Sequence, residues 1–212
     1  MEVRRIKKEE THQWILNRHY AKRIPSISHA FGLYNHMELL GVVTYGMPPN
    51  YMEVKMWEPY KCMELNRLVV EDCSPENSAS FLVGNSIKLL PKPMVIISYA
   101  DTGVGHIGYV YQATNWIYTG IGGDKEKIYI MKNGEIRHQR HSRTMDKQLI
   151  DRKERASGKH RYYYFHANKR DKRAMGNMLR YKQLPYPKGD TLRYDASCDV
   201  EKQGVLFLRI TR

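Results

Sequence analysis

Cations set among flat rings are the chain's most pronounced chemical feature. Residues 132–193 hold eighteen Lys or Arg against six Asp or Glu, a net of +12, so about +1 of the total +13 falls on the rest of the chain. Within that stretch His160-Arg161 leads into Tyr162-Tyr163-Tyr164-Phe165, and Tyr181 and Tyr186 flank Lys182. Cations suit phosphates and planar rings suit bases. The stretch therefore reads as a nucleic-acid surface, with Arg137, Arg140, Arg143, Lys159, Arg161, Lys169, Arg170, Lys172 and Arg173 as candidate contacts. Tyr163 and Phe165 alternate in a way that also fits rings turned into a core strand. Nine histidines raise metal chemistry, notably His19, His29 and His106, and the pair His138 and His141. No complete zinc-like spacing links them, and a single His more often bonds a neighbour or a phosphate. If iron binds, Asp101 with His29 or His106 is the ligand set to expect.

The whole chain narrows the class. It has 212 residues, 42% hydrophobic and 27% charged, which is ordinary for a folded protein of one compact domain and excludes wholesale disorder, collagen and coiled coil. Apolar runs such as Met94-Val95-Ile96-Ile97 are far shorter than the roughly 20 residues of a membrane helix. The charged start, Met1 to Glu10, lacks a signal-peptide core, so a reducing cytoplasm is expected. Cys62, Cys73 and Cys198 are odd in number and widely spaced, which gives neither a disulfide framework nor a zinc site. The strong positive charge points to a polyanionic partner, with nucleic acid the first to expect.

The elements that must position these residues follow from the apolar pattern. Glu9 to Tyr20 reads as an amphipathic helix. His29–Tyr34 and Leu39–Tyr45 read as a hairpin, 48–61 as a loop, and Cys62–Val70 as a strand. Ser74-Pro75-Glu76-Asn77 is helix-start chemistry for a helix that Pro91 and Pro93 end. Met94 to Tyr99 reads as a strand buried on both faces. A helix over His106–Trp116 follows, then strands at Ile117–Thr119, Ile128–Met131 and Glu135–His138, the last two joined at Asn133-Gly134. Residues 144–156 and 168–181 read as basic helices, and Val205–Ile210 as a closing strand. The fold class is α/β, a mixed central sheet flanked by helices. A core over 1–131, a basic nucleic-acid-binding extension over 132–193 packed on it, and a closing strand in 194–212 divide the chain.

Three segments carry a resemblance: Glu64-Leu65-Asn66-Arg67-Leu68-Val69-Val70; Pro75-Glu76-Asn77-Ser78-Ala79-Ser80-Phe81-Leu82; and Ser98-Tyr99-Ala100-Asp101 through Gly105-His106 to Val110-Tyr111-Gln112-Ala113-Thr114-Asn115-Trp116-Ile117-Tyr118-Thr119-Gly120. Together with His29-Ala30-Phe31-Gly32 and Lys159 to Phe165 they resemble the phage Mom DNA-modification family over roughly residues 20 to 190. The resemblance implies an acetyltransferase-like fold that hypermodifies adenine in phage DNA to a carbamoylmethyl derivative and so blocks restriction enzymes, with double-stranded DNA as the partner and tRNA as the other nucleic acid the basic tail could serve. It implies Asp101, Tyr111 and His29 as catalytic candidates. Tyr111 matches the tyrosine that protonates a departing thiolate in relatives of the fold, a role suited to a phenol that holds its proton at pH 7. Asp101, at the carboxyl end of the buried strand, would accept a proton from the attacking amine or orient another group; a turn cap is its other reading.

The donor side is less regular than the fold's usual signature. Cys73 to Ser80 lacks the expected glycines, leaving Ser78, Ala79 and Ser80 as small residues at a helix N-terminus, while Glu76 adds a negative charge. Arg67 reads as a donor-phosphate contact or a salt-bridge partner. Acetyl-coenzyme A and glycyl-tRNA are the two donors to consider. A glycyl ester attacked by adenine's exocyclic amine gives a glycyl amide; its free amine then attacks C6 and expels the amide nitrogen, which leaves a carbamoylmethyl group. Tyr34, Tyr45 and Trp57 are candidates to wall a flipped base, and Tyr99 and Trp116 read as core. Two other functions fit the same charge and topology: an N-acetyltransferase acting on a protein or small amine, and a non-catalytic DNA-binding protein.

Overall fold

A computed structural model describes residues 1–123, 127–138 and 144–189 of the chain. Strand β1 (Glu2–Arg5), too charged and short to be read from sequence, pairs antiparallel with β2 (His29–Asn35). Between them the expected single helix is split into a 3-10 turn, Lys8–Thr11, and α1 (His12–Arg18), because the Glu10 carboxylate accepts the Lys7 N–H at 2.8 Å and closes a separate turn. The β2–β3 hairpin (β3, Glu38–Gly46) is as expected. The stretch 48–61, expected as loop, contains α2 (Tyr51–Met56). Its start is fixed by Asn50, whose side chain accepts the Met52 N–H.

Strand β4 (Lys61–Val70), helix α3 (Ser78–Lys88) and β5 (Met94–Asp101) form a parallel crossover. Helix α4 covers only Tyr109–Ala113 of the expected 106–116, since Gly105 and Gly108 at positive φ delay its start and Asn115 at φ 60° ends it. A Cβ on Gly108 would lie 2.5 Å from the Tyr162 ring, so glycine is required there by both conformation and space. Strands β6 (Ile117–Gly122), β7 (Lys127–Met131) and β8 (Ile136–His138) follow, with the expected tight turn at Asn133-Gly134. Residues 144–156, expected as helix, instead form a 3-10 turn and strand β9 (Ile150–Arg155). Pairing with β7, a contact across the chain, overrides local helix preference. Strand β10 (Lys159–His166) and helix α5 (Lys169–Met178), capped by Asn168, complete the described elements.

Seven strands make one mixed sheet in the order β1-β2-β3-β4-β5-β10-β6, so the basic stretch contributes a central strand. All pairs are antiparallel except β4–β5. Strands β8-β7-β9 form a second sheet inserted between β6 and β10. Helices α3 and α4 cover one face of the large sheet over Phe31, Leu33, Tyr45, Met63, Ile96 and Trp116. Trp57, Cys62, Val95, Ile97, Tyr163, Phe165 and Met175 fill the other. The residues of β5 divide between the two cores, which explains its continuous apolar run. Tyr45 and Trp57 are wholly buried and Tyr34 lies on an edge pair under Arg4, so these three do not wall a base site. Among the described residues no helix is long and apolar enough to cross a membrane. The expected strand at 205–210 lies outside the described residues, as do Arg140, Arg143, His141 and Cys198.

Candidate active site: a cleft where two parallel strands part

Strands β4 and β5 pair only from Lys61–Met94 to Glu64–Ile97, although both run on. The separation begins at a bulge. Against β3 the register of β4 shifts between Leu65 and Arg67, leaving Asn66 extra. The side chain of Asn66 accepts the Thr44 hydroxyl at 2.6 Å and donates to the Ser26 carbonyl at 2.9 Å, which fixes the bent strand. One residue beyond the last strand pair, the Ser98 hydroxyl donates to the Leu65 carbonyl at 2.8 Å in place of a ladder bond, and in turn accepts from the Tyr111 hydroxyl at 2.7 Å. Tyr111, delivered by α4, therefore stands at the base of the opening. Burial pushes its phenol well above the ordinary range, so it stays protonated.

A cavity of about 490 Å³ opens above this point. One wall is the α3 N-terminus, where Ser78, Ala79 and Ser80 line the cleft as expected. Asn77 makes no side-chain cap, while the Ser78 and Ser80 hydroxyls donate back to the Pro75 and Asn77 carbonyls. The Ser78 N–H donates to the Pro75 carbonyl, so the Ala79 and Ser80 amides are the ones placed to bind an anion, and the buried Ser74 hydroxyl beside them has no hydrogen-bond partner among the described residues. This wall fits a phosphate-bearing donor through backbone amides and small side chains, with Glu76 opposing it. Arg67 also lines the cleft; its guanidinium donates to the Arg23 and Asn66 carbonyls rather than to a carboxylate.

The rest of the lining joins His19 and His106, which the sequence singles out, and Lys159 on β10, a candidate contact there, to Tyr20 after α1, Glu64 on β4 and Tyr99 on β5, to which it gives no site role. His19 stacks on Tyr20 at 4.4 Å, and Tyr20 meets His106 edge-on at 5.6 Å. Burial, with Arg67 and His106 nearby, drives the His19 pKa down to about 3. Burial lowers His106 as well, against the pull of Asp101, so both rings are neutral at pH 7. Burial raises Tyr20 to about 12. Tyr99 packs on the second core and reaches the cleft too.

Asp101 stands at the rim rather than in the cavity lining. Its Oδ1 accepts the Gly103 N–H at 2.8 Å and the Ser157 hydroxyl at 2.5 Å, and its Oδ2 is 4.0 Å from Lys159 Nζ. The capping role thus belongs to it, together with a charge placed beside His106 and Lys159. His29 lies elsewhere. Its Nδ1 contacts Arg5, and Arg5 also donates to the Leu89 carbonyl at the far end of α3 from the cleft. Among the described residues no group of three or more His, Cys, Asp and Glu converges as a metal site, so His29, Asp101 and His106 do not form one.

The remaining basic candidates divide by surroundings. Arg161 lies 3.4 Å over the Tyr181 ring and bonds Thr119, which makes it part of the packing. Lys169, Arg170, Lys172 and Arg173 project from α5 to solvent. Arg137 on β8 is held by Glu135 through two bonds of 2.9 Å.

Solved structures similar to this chain include a spermidine/spermine N-acetyltransferase of Vibrio cholerae in complex with manganese ions, 11% identical over 82% of this chain and 96% of that one, TM-score 0.48. A Bacillus subtilis acetyltransferase in complex with CoA is 15% identical over 65% and 76%, TM-score 0.39. In sequence, the methylcarbamoylase Mom of Escherichia phage Mu is 30% identical over 193 residues, 82% of this chain and 78% of that protein. The Mom protein family matches residues 1–188, a span that holds the bulge, the strand opening, Tyr111 and both cleft walls. On that match the chain belongs to the Mom protein family.

Proposed function

We propose that the chain is a transferase that places a carbamoylmethyl group on the exocyclic amine of adenine in DNA. The observation that carries this reading is the family match over residues 1–188 together with a cleft whose two walls differ in chemistry. The α3 wall holds the donor's phosphates on the Ala79 and Ser80 amides; the ester of glycyl-tRNA supplies an acyl carbon that becomes a glycyl amide on the adenine nitrogen, and the free glycyl amine then attacks C6 and expels the amide nitrogen, whereas acetyl-coenzyme A would deliver an acetyl group alone. On the other wall a flipped adenine meets the rings of Tyr20, Tyr99 and His106, which suit a planar base removed from its stack. His106, neutral in its buried setting, takes the proton of the attacking amine, and Asp101 beside it stabilises the resulting cation. Tyr111 keeps its proton until the leaving group develops charge and then releases it through the opening. Lys159 balances the carboxylate and faces incoming phosphate.

The test is mass spectrometry of nucleosides from plasmid DNA of bacteria that express the protein, with Asp101→Asn and Tyr111→Phe in parallel. The expected result is a deoxyadenosine heavier by the carbamoylmethyl group, reduced at least about tenfold in each variant. Growth on isotope-labelled glycine separates the donors: glycine label in the carbamoylmethyl group assigns glycyl-tRNA, whereas a deoxyadenosine heavier by an acetyl group that carries label from acetate assigns acetyl-coenzyme A and overturns the carbamoylmethyl product. Acetylation of free amines without DNA would instead establish an amine N-acetyltransferase. Unmodified DNA from a folded, DNA-binding protein would establish a binding module and overturn the proposal.

A further inference from the structure

The inserted sheet β8-β7-β9 takes no part in the cleft, yet its faces are sorted by charge. In register, Arg137, Tyr129 and Lys153 stand side by side across the three strands, and Lys127 stands opposite Arg155. Side chains alternate along a strand, so these five share one face. The other face carries Ile128, Ile130 and Ile136, with Arg152 closed onto Glu154 at 2.7 Å. On the first face the Lys153 ammonium lies 5.8 Å over the Tyr129 ring, and Glu135 pairs Arg137 at the hairpin end.

The root of this sheet is tied to the cleft rim. From Arg155 the chain passes through Ala156, Ser157 and Gly158 to Lys159, a distance of at most about 13 Å. Ser157 donates to Asp101, and the Gly158 carbonyl accepts both the N–H and the hydroxyl of Thr102. We propose that the Lys127, Tyr129, Arg137, Lys153 and Arg155 face is an arm that lies on the phosphate backbone of duplex DNA and holds it over the cleft. The inference rests on the DNA substrate proposed above and assigns the element that grips it.

The test uses the full chain and a fluorescent DNA duplex, with binding followed by anisotropy from about 50 to 200 mM salt. Lys153→Ala/Arg155→Ala is expected to make the slope of log K against log salt shallower by about 2, since each phosphate contact contributes about 0.9. Arg152→Ala, on the opposite face of the same strand, is expected to keep the wild-type slope. Circular dichroism melts confirm folding, and Lys153→Gln/Arg155→Gln provides a second pair that keeps side-chain length. An unchanged slope in both pairs, an equal change in Arg152→Ala, no duplex binding by the wild type, or a loss confined to folded tRNA overturns the arm. The nucleoside assay separates the two readings: modified DNA with an unchanged slope removes the arm and keeps the reaction, and unmodified DNA with the expected slopes does the reverse.

Discussion

His19 shows how far burial can move one group. Its Nδ1 accepts the Ala21 N–H at 3.0 Å, a bond that requires the unprotonated nitrogen, and its ring is shut between Tyr20 and the Arg67 charge. The folded protein therefore resists protonating it until about pH 3, while the unfolded chain takes the proton near pH 6.5. The unfolded state binds more protons throughout that window, so this stabilisation is complete above pH 6.5 and is lost as pH falls toward 3. The loss is about 1.4 kcal/mol per pH unit in the middle of the window. Urea unfolding at pH 7.5 and pH 5 should show a smaller fall in midpoint for His19→Gln than for the wild type. His106, lowered by burial as well, makes stability fall as pH falls in both proteins, so the variant's fall is smaller and not abolished.

Helix α4 is five residues long and too short to hold itself, so its place depends on Gly108 and the tyrosines around it. Tyr162 donates to the Ile107 carbonyl, and its ring occupies the space where a side chain at 108 would go. Gly108→Ala combines positive φ with that clash, and thermal melts should show a loss of at least about 1 kcal/mol. The same dependence on distant partners explains which elements were legible in sequence. The Asn133-Gly134 turn, the prolines after α3 and the apolar run of β5 are local signals, and each was readable. Strands β1 and β9 are charged segments made into strands by their neighbours, so no local pattern gave them away. The cleft behaves likewise. Asp101 and Tyr111 were reached through resemblance, whose segments also hold Glu64 and Lys159, but Tyr20 follows α1, Glu64 lies on β4 and Lys159 on β10, and only packing makes them neighbours. His29 shares a segment with that resemblance and still lies at the wrong end of α3.

Across the molecule, the basic stretch serves two purposes. It supplies β10, which separates β5 from β6 and carries Tyr162, Tyr163 and Phe165 into both cores, and it supplies the cationic surfaces of the inserted sheet and α5. A chain ended at residue 158 would lack β10 and leave one edge of β5 open along an apolar strand. Such a chain should sediment with the insoluble fraction on expression, whereas the full chain stays in the supernatant. The bond between Ser157 and Asp101 reaches across 56 residues. During synthesis β4, α3 and β5 leave the ribosome long before that serine, so a growing chain has the parted strands early and gains the restraint on its rim carboxylate only near the end. Order of manufacture thus acts as a timer: a stalled or clipped chain carries an opening without a set acid beside it.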